Sequence, residues 1–272
     1  MNILDINKIF VCGDLHAEID INTLNVNNFP EQKELIGNNI LLQVGDFGLV
    51  FDAKEVKHKR MHSIYEAPEI VSGNISKRSK QEAYWLKWLD AKPFYTLFIG
   101  GNHENYDRLE KFPLIDFHGG KAAQISEKVF YLKNGYIYDF AGKKFWMFGG
   151  ATSIDKQWRI EGISWWRQEV PSYKEMQFGL DNLRDANYKV DYIITHTLPE
   201  KIIEYYANNK MSDDFTVKLS IHCPVSTFLD NVLDVIKDNY IKWYTGHFHC
   251  DKEMVKNITV LYKKVRCINE TN

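Results

Sequence analysis

Five short apolar runs in this sequence end on residues able to bind a metal ion. Residues 9–12 (IFVC) lead into Gly13-Asp14-Leu15-His16, and residues 40–44 (ILLQV) into Gly45-Asp46. Residues 95–99 (YTLFI) lead into Gly100-Gly101-Asn102-His103-Glu104. Residues 190–195 (VDYIIT) stop at His196, and residues 241–245 (IKWYT) at Gly246-His247-Phe248-His249. Each run has the length and the β-branched or aromatic content of a buried strand. Ligands of open α/β sheets bind outside the carboxyl ends of the strands, so a folded sheet is expected to gather these groups along one rim. Asp14 and His16 are two apart, as are His247 and His249, and in extended chain each pair points to one side. The glycines at 13, 45, 101 and 246 are expected to relax the backbone where strand becomes loop. One Asp or one His at a strand end means little; five such ends together point to a metal centre. Imidazole with carboxylate and an amide oxygen suits manganese, iron, zinc, cobalt or nickel rather than calcium or magnesium alone. Two such ions about 3.5–4 Å apart form a clamp for in-line displacement at phosphorus.

The elements that must position these groups alternate between strand and helix. Residues 81–90 (QEAYWLKWLD) carry Tyr84, Trp85, Trp88 and Leu89 on one helical face and end before Pro93. Residues 227–237 repeat the pattern with Phe228, Leu229, Val232, Leu233 and Ile236, and residues 171–184 and 198–208 also read as helices. From about 128 to 150 the reading changes to strands, at 129–132, 136–140 and 144–148. Turns at Asn134-Gly135 and Ala141-Gly142 make this stretch a meander. The expectation is α/β: a mixed sheet packed with helices, plus a second sheet. No linker divides the chain, so 1–272 is expected to be one domain, with an inserted loop or lid at about 52–79.

The ordered motifs Gly-Asp-Leu-His (13–16), Gly-Asp (45–46), Gly-Asn-His-Glu (101–104), strand-terminal His196 and Gly-His-Phe-His (246–249) resemble those of calcineurin-like metallophosphoesterases. The resemblance implies a four-layer α/β/β/α sandwich of two mixed sheets flanked by helices. It also implies that Asp14, His16 and His249 hold one metal, and Asn102, His196 and His247 the other, with Asp46 bridging. His103 resembles the family's catalytic histidine, which is not a ligand. The chemistry implied is attack on phosphorus by a hydroxide shared between two divalent ions, manganese first among them. His103 then donates a proton to the leaving oxygen or stabilises charge there. Glu104 has two open roles: orienting His103 or a ligand, or capping the following helix.

The sequence departs from parts of this superfamily. Serine/threonine phosphatases carry Asp-Arg-Gly shortly after the second motif, where this chain reads Gly-Asp-Phe-Gly-Leu-Val-Phe-Asp (45–52). The phosphoprotein phosphatase reading is therefore demoted. About 23 residues follow His249, too few for the capping region of the repair-nuclease branch, judged against domains of about 50 residues or more. The stretch Gly149-Gly150-Ala151-Thr152-Ser153-Ile154-Asp155, with Arg159, Gly162, Ser164-Trp165-Trp166 and Glu169, resembles small bacterial and phage members. Arg159 is the first choice for a phosphate contact, because a guanidinium fork matches phosphate oxygens; Arg167 is the second. Trp158, Trp165 and Trp166 are expected either to stack a nucleobase or to cover the second sheet. His58, His62, His118 and His222 are not assigned to metal.

Composition narrows the remaining classes. With 44% hydrophobic and 26% charged residues, 272 residues can bury a substantial core. A net charge of −2 gives no whole-protein attraction to nucleic acid or anionic membrane, and the basic run 54–60 reads as a solvated face. The four cysteines show no metal or disulfide spacing, no leader is apparent, and no apolar stretch is long enough to span a membrane. Cytoplasm is the expected location. The function expected is hydrolysis of a phosphodiester or phosphomonoester in a phosphorylated small molecule or nucleotide, with diesters slightly favoured. The alternative is a metal-binding scaffold without catalysis, but the full ligand set and His103 favour the enzyme.

Overall fold

A computed structural model describes residues 3–51, 78–208 and 222–268, together with two short paired strands, β3 (Val56–Lys57) and β4 (Glu69–Ile70). Apart from those two strands, Arg78 and Ser79, the expected lid at 52–79 lies outside the described residues, as do most of the basic run 54–60, His58 and His62. Among the described residues the chain forms two large sheets. The first has seven strands: β1 (Ile6–Cys12), β2 (Asn38–Gln43), β5 (Tyr95–Phe98), β6 (Leu114–Phe117), β7 (Gly120–Gln124), β8 (Val129–Leu132) and β15 (Val265–Cys267), in the order β15-β1-β2-β5-β8-β7-β6. The second has six: β9 (Ile137–Phe140), β10 (Lys143–Phe148), β11 (Tyr192–Thr195), β12 (Lys242–Thr245), β13 (Lys252–Glu253) and β14 (Ile258–Val260), in the order β13-β14-β12-β11-β10-β9.

Alternation along the strands accounts for the layers. In β1, Ile9 and Val11 face a core shared with Phe145, Met147 and Ile194 of the second sheet. Phe10 and Cys12, one position out of phase, face Leu86 and Leu89 of helix α1 (Lys80–Asp90). On the second sheet, Trp146, Ile193 and Trp243 turn outward to α3 (Tyr173–Asp185), α4 (Glu200–Asn208) and α5 (Pro224–Ile236). Three apolar clusters therefore separate four layers, helices on sheet on sheet on helices, as the sequence implies. Parallel strands buried on both faces need continuous apolar runs, and β2 and β11 have them.

The helix ends are written locally. Ser79 caps α1 by accepting the Glu82 N–H, Ser172 and Glu175 close a capping box on α3, and Pro224 opens α5. The inward face of α1 differs from expectation. Tyr84 is 62% exposed, and the buried positions are Glu82, Leu86 and Leu89. Glu82 is satisfied by a two-pronged ion pair with Arg108 of α2 (Tyr106–Leu109), a partner that periodicity cannot reveal.

The expected meander over 128–150 is only half correct. β8 pairs with β5 and β7 in the first sheet, whereas β9 and β10 form a hairpin in the second. The Asn134-Gly135 turn is the crossover between sheets. Gly135 has φ +81°, and a β-carbon there would press within 3.0 Å of Gly179 on α3, so the turn needs glycine twice over. The expectation of one rim changes for the same reason. Asp14, Asp46 and Asn102 follow strands of the first sheet, His196 and His247 follow strands of the second, and the site forms where the two carboxyl edges meet.

Candidate metal centre

The loops after β1 and β2 are bound to each other before any ligand is considered. The backbone N–H groups of Leu15 and His16 both donate to the Asp46 carbonyl, at 3.1 and 2.8 Å. The loops after β11 and β12 are joined likewise, with Gly246 N–H donating to the His196 carbonyl at 3.1 Å. The first sheet meets the second through His247, whose N–H points at both Asp14 oxygens at 3.1 Å. The site is thus framed by backbone hydrogen bonds, and its side chains project from a rigid frame.

Asp14 and His16, two apart, join one group as expected, but His247 and His249 do not. His16, Asp46, His247 and His249 all have positive φ, between 43° and 69°. Left-handed backbone at non-glycine residues costs on the order of 1–3 kcal/mol each and concentrates at functional sites. The turn it produces sends His249 to Asp14 and His16, while His247 joins His196. Glycine at 246 is required by proximity: a β-carbon there would collide with the Asp14 carboxylate, just as one at Gly101 would collide with that of Asp46.

Two groups of side chains result. Asp14, His16, Asp46 and His249 form one, and Asp46, His196 and His247 the other, each with its donor atoms within 4.8 Å of one another. Asp46 belongs to both: one carboxylate oxygen lies 3.3 Å from His16 Nε2 and the other 3.3 Å from His196 Nε2. Asn102 completes the second group, its Oδ1 lying 3.2 Å from His196 Nε2 while its amide donates to Ser153. All seven expected ligand residues are therefore brought together.

With this geometry in place, the sequence matches the family model described as calcineurin-like phosphoesterase over residues 7–251. The chain belongs to the calcineurin-like phosphoesterase family. Among curated proteins it resembles the lariat debranching enzyme of Gallus gallus, 23% identical over 254 residues, covering 89% of this chain and 42% of the relative. Lariat debranching enzyme A of Xenopus laevis is 24% identical, with 89% and 42% covered, and the enzyme of Arabidopsis thaliana 22%, with 89% and 54%. The chain thus spans about half the length of the curated relatives it matches, or less. Members of this family use divalent metal ions, and the two groups of side chains are candidates to hold them.

The residues of this calcineurin-like phosphoesterase fit such ions. Asp14 and Asp46 are buried side by side, and their ion-pair partners among the described residues are histidines, with no lysine or arginine. Burial and the neighbouring Asp46 push the Asp14 carboxyl up to about 7, although His196 pulls it down. Burial would raise Asp46 too, but His196 and His16 hold it well below the usual carboxylate range. His16 and His196 rise to about 9: burial opposes this, and Asp46 overrides it. His247 is pushed down to about 3 by burial and by His196. Two buried carboxylates compensated only by imidazolium are the electrostatic signature of a site suited to permanent cations.

Ring nitrogens are also committed. His196 Nδ1–H donates to the Val44 carbonyl at 2.9 Å, and His16 Nδ1 sits 2.8 Å from Asp20 Oδ2. Both leave Nε2 facing the carboxylates, the tautomer that a metal ligand needs. Sequence reading missed Asp20, and its only signal was a spacing of four from His16. Tyr262 was missed as well; its ring stacks on His249, with centroids 4.9 Å apart. Of its two expected roles, Glu104 takes the support of a candidate ligand and not the helix cap. It accepts the N–H groups of Phe47 and Gly48, at 2.7 and 3.2 Å, and so clamps the Asp46 loop, while Asn105 caps α2.

His103 donates its backbone N–H to Asp46 Oδ1 at 2.7 Å, while its ring meets Arg159. The two guanidinium ends lie 3.3 and 3.2 Å from the two ring nitrogens. Burial lowers the His103 pKa, and the Arg159 charge adds to the effect. Arg167 is elsewhere, paired with Glu161 on the surface. Of the three tryptophans, Trp158 is 82% exposed and Trp166 is buried against Phe51.

Proposed function

We propose that this protein is a two-metal phosphoesterase acting on phosphodiesters in preference to monoesters. The observation that carries the reading is the Asp46 carboxylate, one oxygen toward His16 and the other toward His196, shared by both ligand groups. Asp14, His16 and His249 would hold one ion, Asn102, His196 and His247 the other, with Asp46 common to both. Bound divalent ions would supply Lewis acidity and a nucleophile at neutral pH. Imidazole, carboxylate and amide donors together favour manganese, with iron, zinc, nickel or cobalt as alternatives.

The chain's own residues supply the rest. His103 presents a ring N–H that hydrogen-bonds the leaving oxygen and stabilises the charge building there. Arg159, half-buried over His103 and steadied by Asp155 at 2.8 Å, grips a phosphoryl oxygen as charge builds. Ser153, held by both carboxylate oxygens of Glu169, keeps the Asn102 oxygen turned toward the site.

Preference for a diester rests on two supports. The loop after Asp46 offers Phe47, Leu49 and Val50, all buried, where a monoester-gripping arginine would be needed. The resembling relatives are named for debranching lariats, which is phosphodiester chemistry. The substrate is a nucleotide or another phosphorylated small molecule. Among the described residues no helix is long and apolar enough to cross a membrane, and the four free cysteines support a reducing compartment such as the cytoplasm.

The test is hydrolysis of bis-p-nitrophenyl phosphate and p-nitrophenyl phosphate after chelation and reloading with manganese. The expected result is manganese-dependent diester turnover that His249→Ala abolishes. Faster monoester turnover would reverse the preference, and no turnover with both ions bound would favour a scaffold.

A further inference from the structure

A cavity of about 340 Å³ opens beside the two ligand groups, with His16 and His103 on one wall and Ile19, Leu49, Phe51 and Trp85 on the others. Its position is informative, because the wall it shares with the proposed centre contains a proposed ligand and the proposed donor to the leaving oxygen. Whatever organic group is esterified to a phosphate held by those residues has this space within reach.

The aromatic walls are braced from behind. The Phe51 ring meets Trp166 edge-on at 5.4 Å and 88°, and its carbonyl accepts a hydrogen bond from Asn105 at 2.6 Å. Trp85 meets Trp88 edge-on at 5.6 Å and 87°, and the Lys92 ammonium lies 3.6 Å from the centre of the Trp88 ring. Lys92 is itself tied down by the Leu24 carbonyl and Gln32. Rings fixed in this way lose little entropy when a planar partner stacks on them. The volume is at the low end for small-ligand pockets, large enough for a single ring system. Glu18 and Gln81 at the rim add polar groups that can meet the edge of a heterocycle.

We propose that this cavity is a nucleobase subsite, and that the substrates are nucleotide phosphoesters whose base sits between Phe51 and Trp85. The proposal rests on the phosphoesterase reading above and deepens it. It also relocates the stacking surface expected from sequence: Trp166 serves as the buttress of Phe51, and Trp158 stands on the open surface.

The experiment is calorimetric titration of the manganese-loaded full chain with AMP and, separately, with ribose 5-phosphate, which lacks only the base. AMP should bind about tenfold or more tightly, within what one base–aromatic stack contributes. Trp85→Ala should collapse that ratio toward one. Phe51→Leu, which keeps apolar bulk but removes the ring face, should reduce it without endangering the fold. Equal affinities in the parent protein, or a ratio that survives both substitutions, would overturn the subsite. Failure of the phosphoesterase reading has a different signature: ribose 5-phosphate would bind no better with manganese than without it, whatever the ratio.

Discussion

His16 and Asp20 form a pair across one helical turn's worth of sequence, with Nδ1 and a carboxylate oxygen 2.8 Å apart. Asp20 is itself held by the Lys263 ammonium and by the Tyr262 hydroxyl at 3.3–3.4 Å. The Tyr262 ring stacks on His249, so one short C-terminal segment steadies two residues of the same ligand group. Carboxylates behind ligating histidines fix ring orientation and raise donor strength. Asp20→Asn should therefore weaken manganese binding at this group by about tenfold to a hundredfold. Calorimetric titration of the metal-free protein should show one weakened site and one retained site; two unchanged sites would make Asp20 merely structural.

For His103 the prediction separates metal binding from chemistry. His103→Ala should lower kcat for bis-p-nitrophenyl phosphate by about a hundredfold or more, the scale of losing one hydrogen-bond donor to developing charge. Elemental analysis should still find both ions. Metal lost together with activity would make His103 a ligand or a support.

Arg159 should behave as a fork rather than as a point charge. Arg159→Ala should reduce kcat/KM by about tenfold to a hundredfold, on the scale of a charge-assisted hydrogen bond. Arg159→Lys should recover only part of this, because an ammonium lacks the rigid pair of donors that meets both His103 ring nitrogens. Full recovery with lysine would show that charge alone matters.

The buried Glu82–Arg108 pair makes a prediction about stability. Arg108→Met leaves the buried Glu82 carboxylate with only the longer contact to Arg78, at 3.6 Å, and should cost up to about 3–5 kcal/mol. Adding Glu82→Leu should restore most of that loss, because two apolar side chains need no partner. Thermal denaturation of the single and double variants measures both effects. A double variant no more stable than the single would mean that the pair has no apolar substitute.

His118, left without a metal role, gives the acid limb of stability. Its Nδ1–H donates to the Asp139 carbonyl at 2.9 Å, and its Nε2 accepts the Ile3 N–H at 2.8 Å, so the folded protein holds it neutral. Burial lowers its pKa below the ordinary 6.5. Below about pH 6.5 the unfolded chain then binds the extra proton first, so folding stability falls as pH falls through that window. His118→Gln, which cannot charge, should show a shallower loss of melting temperature from pH 6.5 downward. An identical slope would assign the acid limb to other groups.

Much of this protein is readable from sequence because its candidate ligands follow strands whose apolar runs are themselves visible. Asp14, Asp46, Asn102, His196 and His247 each come directly after such a run, and strand-terminal position is a local property. The layers are legible for the same reason, since period-two alternation in β1 already divides Ile9 and Val11 from Phe10 and Cys12. What sequence cannot convey is which groups meet across the fold. The assignment of β8 and β9 to different sheets depends on long-range pairing, and the two-sheet rim follows from it. Left-handed backbone at His16, Asp46, His247 and His249 arises because neighbouring loops hold it there. Asp20 behind His16, Glu104 beneath the Asp46 loop, Arg159 over His103 and Trp166 behind Phe51 are contacts at sequence separations from 4 to 115, and no periodicity encodes them. Local sequence determined the candidate ligands and the strands that carry them; tertiary packing alone decided how those candidates divide into two groups and what stands behind each one, because such contacts exist only after distant segments have been brought together.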